Sequence, residues 1–276
     1  MAGLGQWEVV KGVEHWNRVI FHGSDVMRIG CVRAVVAGIV VAGAGVMVGQ
    51  TGPATRPATS ATGSRPATGS RPALKEGVPT KSAMETDATG WTDLLADKTL
   101  ARWKRVKYVD KPLKDGNSWS FDAVNNLLVC DGAGAVEMYL YNQEFGDGVY
   151  HVEWRFKPVE GGRGYNSGVF FRNSADGKIW HQAQVGNRNV GNLFGTTLVD
   201  GVEKSFNVND RVVQRGLPPG EWNTYEITGK GKVMTLWVNG AVTATWNDCQ
   251  VMKGLVGLEA EGFLIEFRNV KFKAAQ

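Results

Sequence analysis

Residues 150–156 read Tyr-His-Val-Glu-Trp-Arg-Phe, so that apolar and polar side chains alternate along the stretch. Residues 222–227, Trp-Asn-Thr-Tyr-Glu-Ile, and residues 264–270, Leu-Ile-Glu-Phe-Arg-Asn-Val, show the same alternation. A period of two is typical of a strand with one face on a core and the other face open. These three stretches decide the fold class, because they predict strands where a helix would show a period near 3.6.

Turn signals separate the predicted strands. The clearest is Asn239-Gly240, which lies between the apolar runs 233–238 and 241–246. Asn-Gly favours the type I′ turn of a tight hairpin, so the two runs predict a pair of antiparallel strands. No helical stripe longer than two turns stands out after residue 88. The predicted fold class is therefore all-β, a two-sheet sandwich or jelly roll.

Composition excludes several classes of function. The chain has 31 Lys and Arg against 27 Asp and Glu, but residues 88–276 carry 22 basic and 21 acidic side chains, a balance of only +1. A nearly neutral body argues against a surface for nucleic acid or anionic membranes. Three cysteines are too few for a disulfide scaffold or a four-thiolate zinc site. Cys130 and Cys249 are left open, as a disulfide or as two free thiols.

The first 50 residues contain a processing signal that does not start at residue 1. Residues 28 and 33 are Arg, and residues 34–48 form an uncharged run rich in Val, Ala and Gly. Spanning a bilayer takes about 20 apolar residues, so this run of 15 fits a signal peptide better than a stable anchor. We predict that residues 1–26 are an over-extended start and that residues 27–50 are a signal peptide or an apolar anchor.

A linker follows this segment. Residues 51–88 are rich in Pro, Ala, Thr, Ser and Gly, and the hexamer ATGSRP occurs in them twice. Such a composition cannot bury enough apolar surface to offset the entropy of ordering, so we predict a disordered tether. The folded domain is then predicted over residues 89–276. The protein is expected to be exported, periplasmic or extracellular, with a transient membrane tether through the apolar segment as the alternative.

Five groups of motifs between residues 89 and 274 carry a resemblance to a known family. They are Gly90-Trp91-Thr92-Asp93-Leu94-Leu95, Asn166-Ser167-Gly168-Val169-Phe170-Phe171-Arg172, Gly220-Glu221-Trp222-Asn223, Trp237-Val238-Asn239-Gly240, and Gly257-Leu258-Glu259-Ala260-Glu261-Gly262 followed by Phe267-Arg268-Asn269-Val270. In this order they resemble the motifs of the 3-keto-disaccharide hydrolase domain. The resemblance implies a concanavalin A-like jelly roll, usually exported, that acts on oxidised (3-keto) glycosides.

One departure from the family pattern bears on activity. After the Asn-Ser-Gly strand the family usually carries Glu-x-Gln, with the Glu as a candidate acid or base, whereas this chain reads Gln182-Ala183-Gln184. A glutamine cannot exchange a proton near neutral pH. Either another residue does the acid–base work, or the protein binds sugar without cleaving it.

Candidate substrate-binding residues lie on the two strands around these motifs. Asn166 either closes a turn or contacts the sugar. On strand parity Phe170 and Arg172 share a face, and Arg172 is either a fork for a keto or hydroxyl oxygen pair or half of a structural ion pair. Gln182 and Gln184 also share a face, and an apolar core disfavours two amides because buried polar groups need partners.

Tryptophans are a second source of candidates. Trp180, beside Gln182, is the best candidate for stacking on a sugar ring, and Trp246 is a weaker one. Most of the others are predicted to lie in the core, namely Trp91, Trp103, Trp154 and Trp222.

Three residues are candidates for catalysis. Glu259 and Glu261 are two positions apart, so on a strand both carboxylates share a face, with Cβ atoms roughly 6.5–7 Å apart. Leu258 and Ala260 then face the core. Paired carboxylates are used in acetal cleavage, although a solvated strand face gives the same pattern. His181 is either a hydrogen-bonded structural histidine or a general base or metal ligand.

The leading hypothesis is an enzyme that cleaves 3-keto glycosides or disaccharides, either by hydrolysis or by β-elimination followed by hydration. In the elimination, Glu259, Glu261 or His181 removes the C2 proton, and Arg172 or the two glutamines hold the enolate oxygen. The alternatives are a non-catalytic carbohydrate-binding module and a surface interaction domain without a sugar site. The expected partner is an oligosaccharide or 3-keto glycoside and not nucleic acid. No cofactor is predicted, and a divalent cation is left open.

Overall fold

The computed structural model describes residues 80–108, 111–186, 190–208 and 215–276. The predictions made for residues 1–79, including the over-extended start and the signal peptide, lie outside these ranges. Within them, no helix is both long enough and apolar enough to cross a membrane.

The described chain consists of one short helix and fifteen strands. They are α1 (Ala83–Thr86), β1 (Thr92–Asp93), β2 (Trp103–Lys107), β3 (Trp119–Asp122), β4 (Leu127–Cys130), β5 (Val136–Phe145), β6 (Gly148–Phe156), β7 (Asn166–Asn173), β8 (Trp180–Gly186), β9 (Leu193–Val199), β10 (Val202–Val208), β11 (Asn223–Lys230), β12 (Val233–Val238), β13 (Ala241–Trp246), β14 (Gly254–Glu261) and β15 (Ile265–Ala274).

The strands form two antiparallel sheets. Sheet A has the order β13-β12-β11-β6-β15-β4-β3, with β1 paired to β15, and sheet B has the order β10-β9-β8-β7-β14-β5-β2. One hydrophobic core contains side chains from both sheets. The prediction of an all-β, two-sheet fold is confirmed.

The period-two stretches are strands with one face in this core. In β6 the side chains of Tyr150, Val152, Trp154 and Phe156 are buried in the core, whereas His151 bonds to Glu226 on the other face of the sheet. The predicted hairpin is also confirmed, because β12 pairs with β13. Asn239 and Gly240 at its turn have φ angles of 44° and 95°, the left-handed conformations that a type I′ turn requires.

The segment that enters the domain is attached to sheet A. Glu226 on β11 accepts hydrogen bonds from the backbone N–H groups of Ala83 (2.7 Å) and Met84 (3.2 Å). Ser82 and Glu85 form a reciprocal capping box at the start of α1. Residues 80–88, the described part of the predicted linker, therefore make specific contacts with the sandwich.

Candidate functional site

The outer face of sheet B gathers polar side chains from three neighbouring strands. Val169 and Phe171 of β7, Ala183 and Val185 of β8, and Leu258 and Ala260 of β14 all point into the core. The residues that alternate with them therefore occupy the opposite face, and five of these are polar: Asn166, Gln182, Gln184, Glu259 and Glu261. We call these five the amide–carboxylate cluster. The predictions that the glutamines share a face and that the glutamates share a face are confirmed.

The first bond in this cluster crosses a whole strand. Gln182 lies on β8 and Glu259 on β14, with β7 between them. The Gln182 Nε2 atom donates to Glu259 Oε2 at 2.7 Å. A Cβ atom built on Gly168 of β7 would lie 2.2 Å from Gln182 Nε2 and 2.7 Å from Gln182 Cγ. The glycine of the Asn-Ser-Gly motif thus leaves the space through which the amide reaches the carboxylate.

The second connection runs one step further along the same three strands. Gln184 Nε2 donates to Asn166 Oδ1, and Asn166 Nδ2 donates to Glu261 Oε2. Here the central strand contributes a side chain that links its two neighbours. A carboxamide therefore donates to each of the two carboxylates.

Exposure differs between the two halves of the cluster. Gln182 and Glu259 are 2% and 1% exposed, whereas Asn166, Gln184 and Glu261 are partly exposed. A ligand that approaches this face therefore meets the second half first, with Glu259 beneath it.

An apolar patch adjoins the buried half of the cluster. Met138, Leu140, Phe170, Leu255 and Tyr108 form a second hydrophobic group, against which Trp180 packs. Trp180 meets Tyr108 and Phe194 edge to face, with ring centroids 5.3 and 5.5 Å apart. The Tyr108 hydroxyl donates to Gln182 Oε1 at 3.3 Å. Trp180 is partly exposed next to the cluster, as a stacking residue would be.

Arg172 does not reach this face, and the prediction that it shares a face with Phe170 is wrong. The pairing of β7 with β14 shifts register between Gly257, opposite Phe170, and Leu255, opposite Asn173. Arg172 has a φ of 57° at this bulge, which breaks the strand parity. Its guanidinium is fully buried and donates to Asp147 Oδ1 at 2.7 Å. It also donates to two backbone carbonyls, those of Gly231 and Val251.

His181 does not reach this face either. Its side chain is fully buried, with Nδ1 3.0 Å from the Phe171 carbonyl oxygen and Nε2 3.0 Å from Thr197 Oγ1. Burial lowers the pKa of His181 to about 4. A histidine with both ring nitrogens engaged in the core is a structural residue, so the geometry contradicts its assignment as a base.

The other tryptophans named above and the two cysteines of the domain lie away from the amide–carboxylate cluster or in the core. Trp103 and Trp154 are in the core as predicted, whereas Trp222 lies partly exposed beside the guanidinium groups of Arg155 and Arg268. Trp246 stacks on Phe206 at 3.9 Å and packs against the core. Trp91, which was predicted to lie in the core, is partly exposed and its ring meets that of His151 edge to face. Cys130 and Cys249 are buried free thiols.

Tyr108 was not among the residues predicted for this site. It follows β2, and it continues the alternation in which Val106 belongs to the apolar patch. This alternation was the one feature of the sequence that could have indicated Tyr108. Its contact with Gln182 joins residues 74 positions apart, which no local pattern shows.

No metal site is evident in the described ranges. No group of three or more His, Cys, Asp or Glu side chains there is arranged to hold a metal ion. The amide–carboxylate cluster contributes two acidic side chains and three carboxamides. Its chemistry is that of hydrogen bonding to hydroxyl groups and of accepting a proton.

Comparison with protein families assigns the domain. The family model described as a 3-keto-alpha-glucoside-1,2-lyase-like domain matches residues 90–273, which is 184 of the 276 residues. The chain belongs to this family, and the resemblance noted in the sequence is confirmed. A search of curated protein sequences gave no match.

Solved structures with a similar arrangement of strands include three bacterial proteins. A Parabacteroides distasonis protein described as a candidate glycosyl hydrolase is 16% identical, with a TM-score of 0.49 over 72% of this chain and 100% of its own. A carbohydrate-binding module from Bacillus subtilis is 15% identical, with a TM-score of 0.44 over 67% and 96%. A β-glucanase from Bacillus licheniformis is 15% identical, with a TM-score of 0.39 over 72% and 97%.

Proposed function

We propose that the protein cleaves 3-keto glycosides by elimination across C1 and C2. The observation that carries the proposal is the pair Glu259 and Glu261 on one face of sheet B, each of which accepts a hydrogen bond from a carboxamide, Gln182 of β8 and Asn166 of β7 respectively. The family to which the chain belongs is described as a 3-keto-alpha-glucoside-1,2-lyase-like domain, which supports this chemistry.

The chemistry follows from the ketone. A carbonyl at C3 acidifies the hydrogen on C2, so a carboxylate is a strong enough base to remove it. The electron pair forms the enolate, and when the carbonyl forms again, the C1–O bond breaks. The products are a 1,2-unsaturated 3-keto sugar and the free alcohol. Addition of water to the double bond then gives the 3-keto sugar.

We assign the base to Glu259. It is the more buried of the two carboxylates, and a carboxylate with little water around it is a stronger base than a hydrated one. Gln182 fixes its Oε2 atom through a 2.7 Å bond. The partly exposed residues Asn166, Gln184 and Glu261 then bind the sugar oxygens.

A rate measurement on matched variants tests this assignment. With a 3-keto glucoside as substrate, Glu259→Gln should lower kcat by about 10²- to 10⁴-fold, the usual contribution of a general base. Glu261→Gln should raise KM more than it lowers kcat. Glu144→Gln is the control, because Glu144 is an exposed carboxylate on β5 that pairs with Lys253. Equal rates for Glu259→Gln and the control would exclude Glu259 as the base.

A second candidate function is carbohydrate binding without turnover. It is favoured by one observation, namely that the position of the family's acidic residue is occupied by Gln182, which cannot exchange a proton. Saturable binding of a glycan with no release of alcohol from any 3-keto glycoside would establish this function and exclude the lyase.

We also propose that the protein is exported, on the basis of the apolar run 34–48 behind two arginines. N-terminal sequencing of the protein from its native cells tests this. A mature chain that starts after this run supports export, whereas a chain that retains residues 1–26 excludes the assigned start.

A further inference from the structure

Elimination needs a proton donor as well as a base. If Glu259 removes the C2 proton, the oxygen that leaves C1 must be protonated by another group, because an aliphatic alkoxide is a poor leaving group. Gln182 has no proton that it can give near neutral pH. His181 is sealed in the core. The donor has to be sought among the other side chains on the outer face of sheet B.

Tyr108 is distinct among the tyrosines of the chain. The sequence contains six, and five of them belong to the core between the sheets: Tyr139, Tyr141, Tyr150, Tyr165 and Tyr225. Tyr108 instead belongs to the apolar patch on the outer face, beside the amide–carboxylate cluster. It brings the O–H group of a phenol to this face.

The ring of Tyr108 is fixed and its hydroxyl points toward the cluster. The ring lies 5.3 Å from Trp180 and 6.1 Å from Phe170, measured between centroids. Its hydroxyl donates to Gln182 Oε1 at 3.3 Å, a long bond by the usual range for O–H donors. Packing therefore defines the position of the O–H group beside Gln182.

One amide links this hydroxyl to the base. The Oε1 atom of Gln182 accepts from Tyr108 and the Nε2 atom donates to Glu259. The phenol and the carboxylate are thus held on the two sides of a single carboxamide. That spacing suits a substrate in which C2, the site of proton loss, and C1, the site of bond cleavage, are directly bonded.

We propose that Tyr108 is the acid that protonates the departing C1 oxygen, an assignment that rests on the proposed lyase function. Glu259 takes the proton from C2, and the C2–H electron pair enters the enolate. When the C3 carbonyl forms again, this pair becomes the C1=C2 double bond and the C1–O bond breaks. The leaving oxygen takes the Tyr108 proton and departs as the alcohol. The proton on Glu259 then returns to the phenolate through water, which restores both groups.

The acidity of a phenol fits this task. A phenol is a stronger acid than an aliphatic alcohol, so its proton moves to a departing alkoxide downhill in free energy. A leaving group that is itself a weak base, such as 4-nitrophenolate, departs without help. The contribution of Tyr108 should therefore depend on the leaving group, whereas a residue that only positions Gln182 would affect all substrates alike.

The test compares two substrates in one variant. For Tyr108→Phe, kcat/KM should fall by about 10²- to 10⁴-fold with a methyl 3-keto glucoside, and by less than a tenth of that factor with the 4-nitrophenyl 3-keto glucoside. Phenylalanine keeps the ring contacts, and an unchanged Tm verifies the fold. Tyr165→Phe is the control, because the Tyr165 hydroxyl accepts a hydrogen bond from the Val159 N–H group, and it should change neither rate.

The other possible outcomes contradict either the acid role of Tyr108 or the lyase function. An equal loss with both substrates, or no loss with either, would overturn the acid role of Tyr108 and leave the lyase function in place. Wild-type protein that releases neither methanol nor 4-nitrophenol would overturn the proposed function itself, and the acid role with it. If Tyr108→Phe does not fold, replacement of Tyr108 by a more acidic fluorotyrosine must change the dependence of the wild-type rate on the leaving group, and an unchanged dependence would also overturn the assignment.

Discussion

Substitution of Gly168 by alanine tests how the amide–carboxylate cluster is built. Gly168 does not have a positive φ, so the substitution brings no backbone strain. The added Cβ would lie 2.2 Å from Gln182 Nε2 and 2.5 Å from its Cδ, closer than any stable contact. Because Gln182 is 2% exposed, its amide cannot simply turn into solvent, and the bond to Glu259 must break.

The cost can be estimated from that bond. A hydrogen bond to a charged group contributes about 1.5–3 kcal/mol, and replacing glycine in a strand by alanine returns about 0.5 kcal/mol or more. We therefore expect Gly168→Ala to lower the free energy of unfolding by about 2 kcal/mol. In a Gln182→Ala background the three atoms nearest to the added methyl group, which all belong to the Gln182 side chain, are removed, and the same substitution should cost little.

Urea unfolding of the wild type, the two single variants and the double variant measures the coupling directly. The predicted interaction energy between positions 168 and 182 is about 2 kcal/mol, well above the ~0.5 kcal/mol seen for independent sites. Equal costs of Gly168→Ala in both backgrounds would refute the claim that the glycine exists to let the amide cross β7.

Three further predictions concern ionised groups. Arg172→Met should lower the free energy of unfolding by about 1–3 kcal/mol, because it leaves the Gly231 and Val251 carbonyls without the buried guanidinium that donates to them, whereas Lys253→Met at an exposed pair should have no measurable effect in the same urea titration. Because the pKa of His181 falls to about 4 in the fold, the unfolded chain binds the extra proton first, and stability should fall as the pH drops from about 6.5 to about 4; a His181→Gln variant that keeps the full wild-type slope would contradict this. Gln182→Glu would set two carboxyl groups about one hydrogen bond apart, and since both cannot ionise there, the acid limb of the kcat/KM profile should move to higher pH by about one unit or more; an unmoved limb would show that Glu259 is not the titrating base.

Much of the fold could be predicted because it depends on local periodicity. The alternation in residues 150–156 and 264–270 reflects burial of one strand face, and the Asn239-Gly240 turn reflects backbone preference alone. For the same reason the shared face of Glu259 and Glu261 was correctly predicted, since two positions on one regular strand always share a face.

The candidate site was predicted only in part, because two of its determinants are not local. The bulge at Arg172 reverses the parity of β7, and it arises from the pairing with β14 rather than from the sequence of β7 itself. Tyr108 follows β2 and Gln182 lies on β8, and the two meet only because the fold places both side chains on the outer face of sheet B. His181 shows the opposite error, since a chemically versatile residue was given a chemical role before its burial was known.

The route of the reaction provides the most direct test of the whole account. We would incubate the protein with a 3-keto glucoside in D₂O and follow C2 of the released 3-keto sugar by NMR. Elimination followed by hydration removes the hydrogen from C2 and returns one from solvent, so the product should carry deuterium at C2, and Glu259→Gln should abolish its formation. A product that keeps its original hydrogen at C2 would contradict the account, because the glycosidic bond would then have been cleaved without the carbanion that Glu259 is proposed to generate.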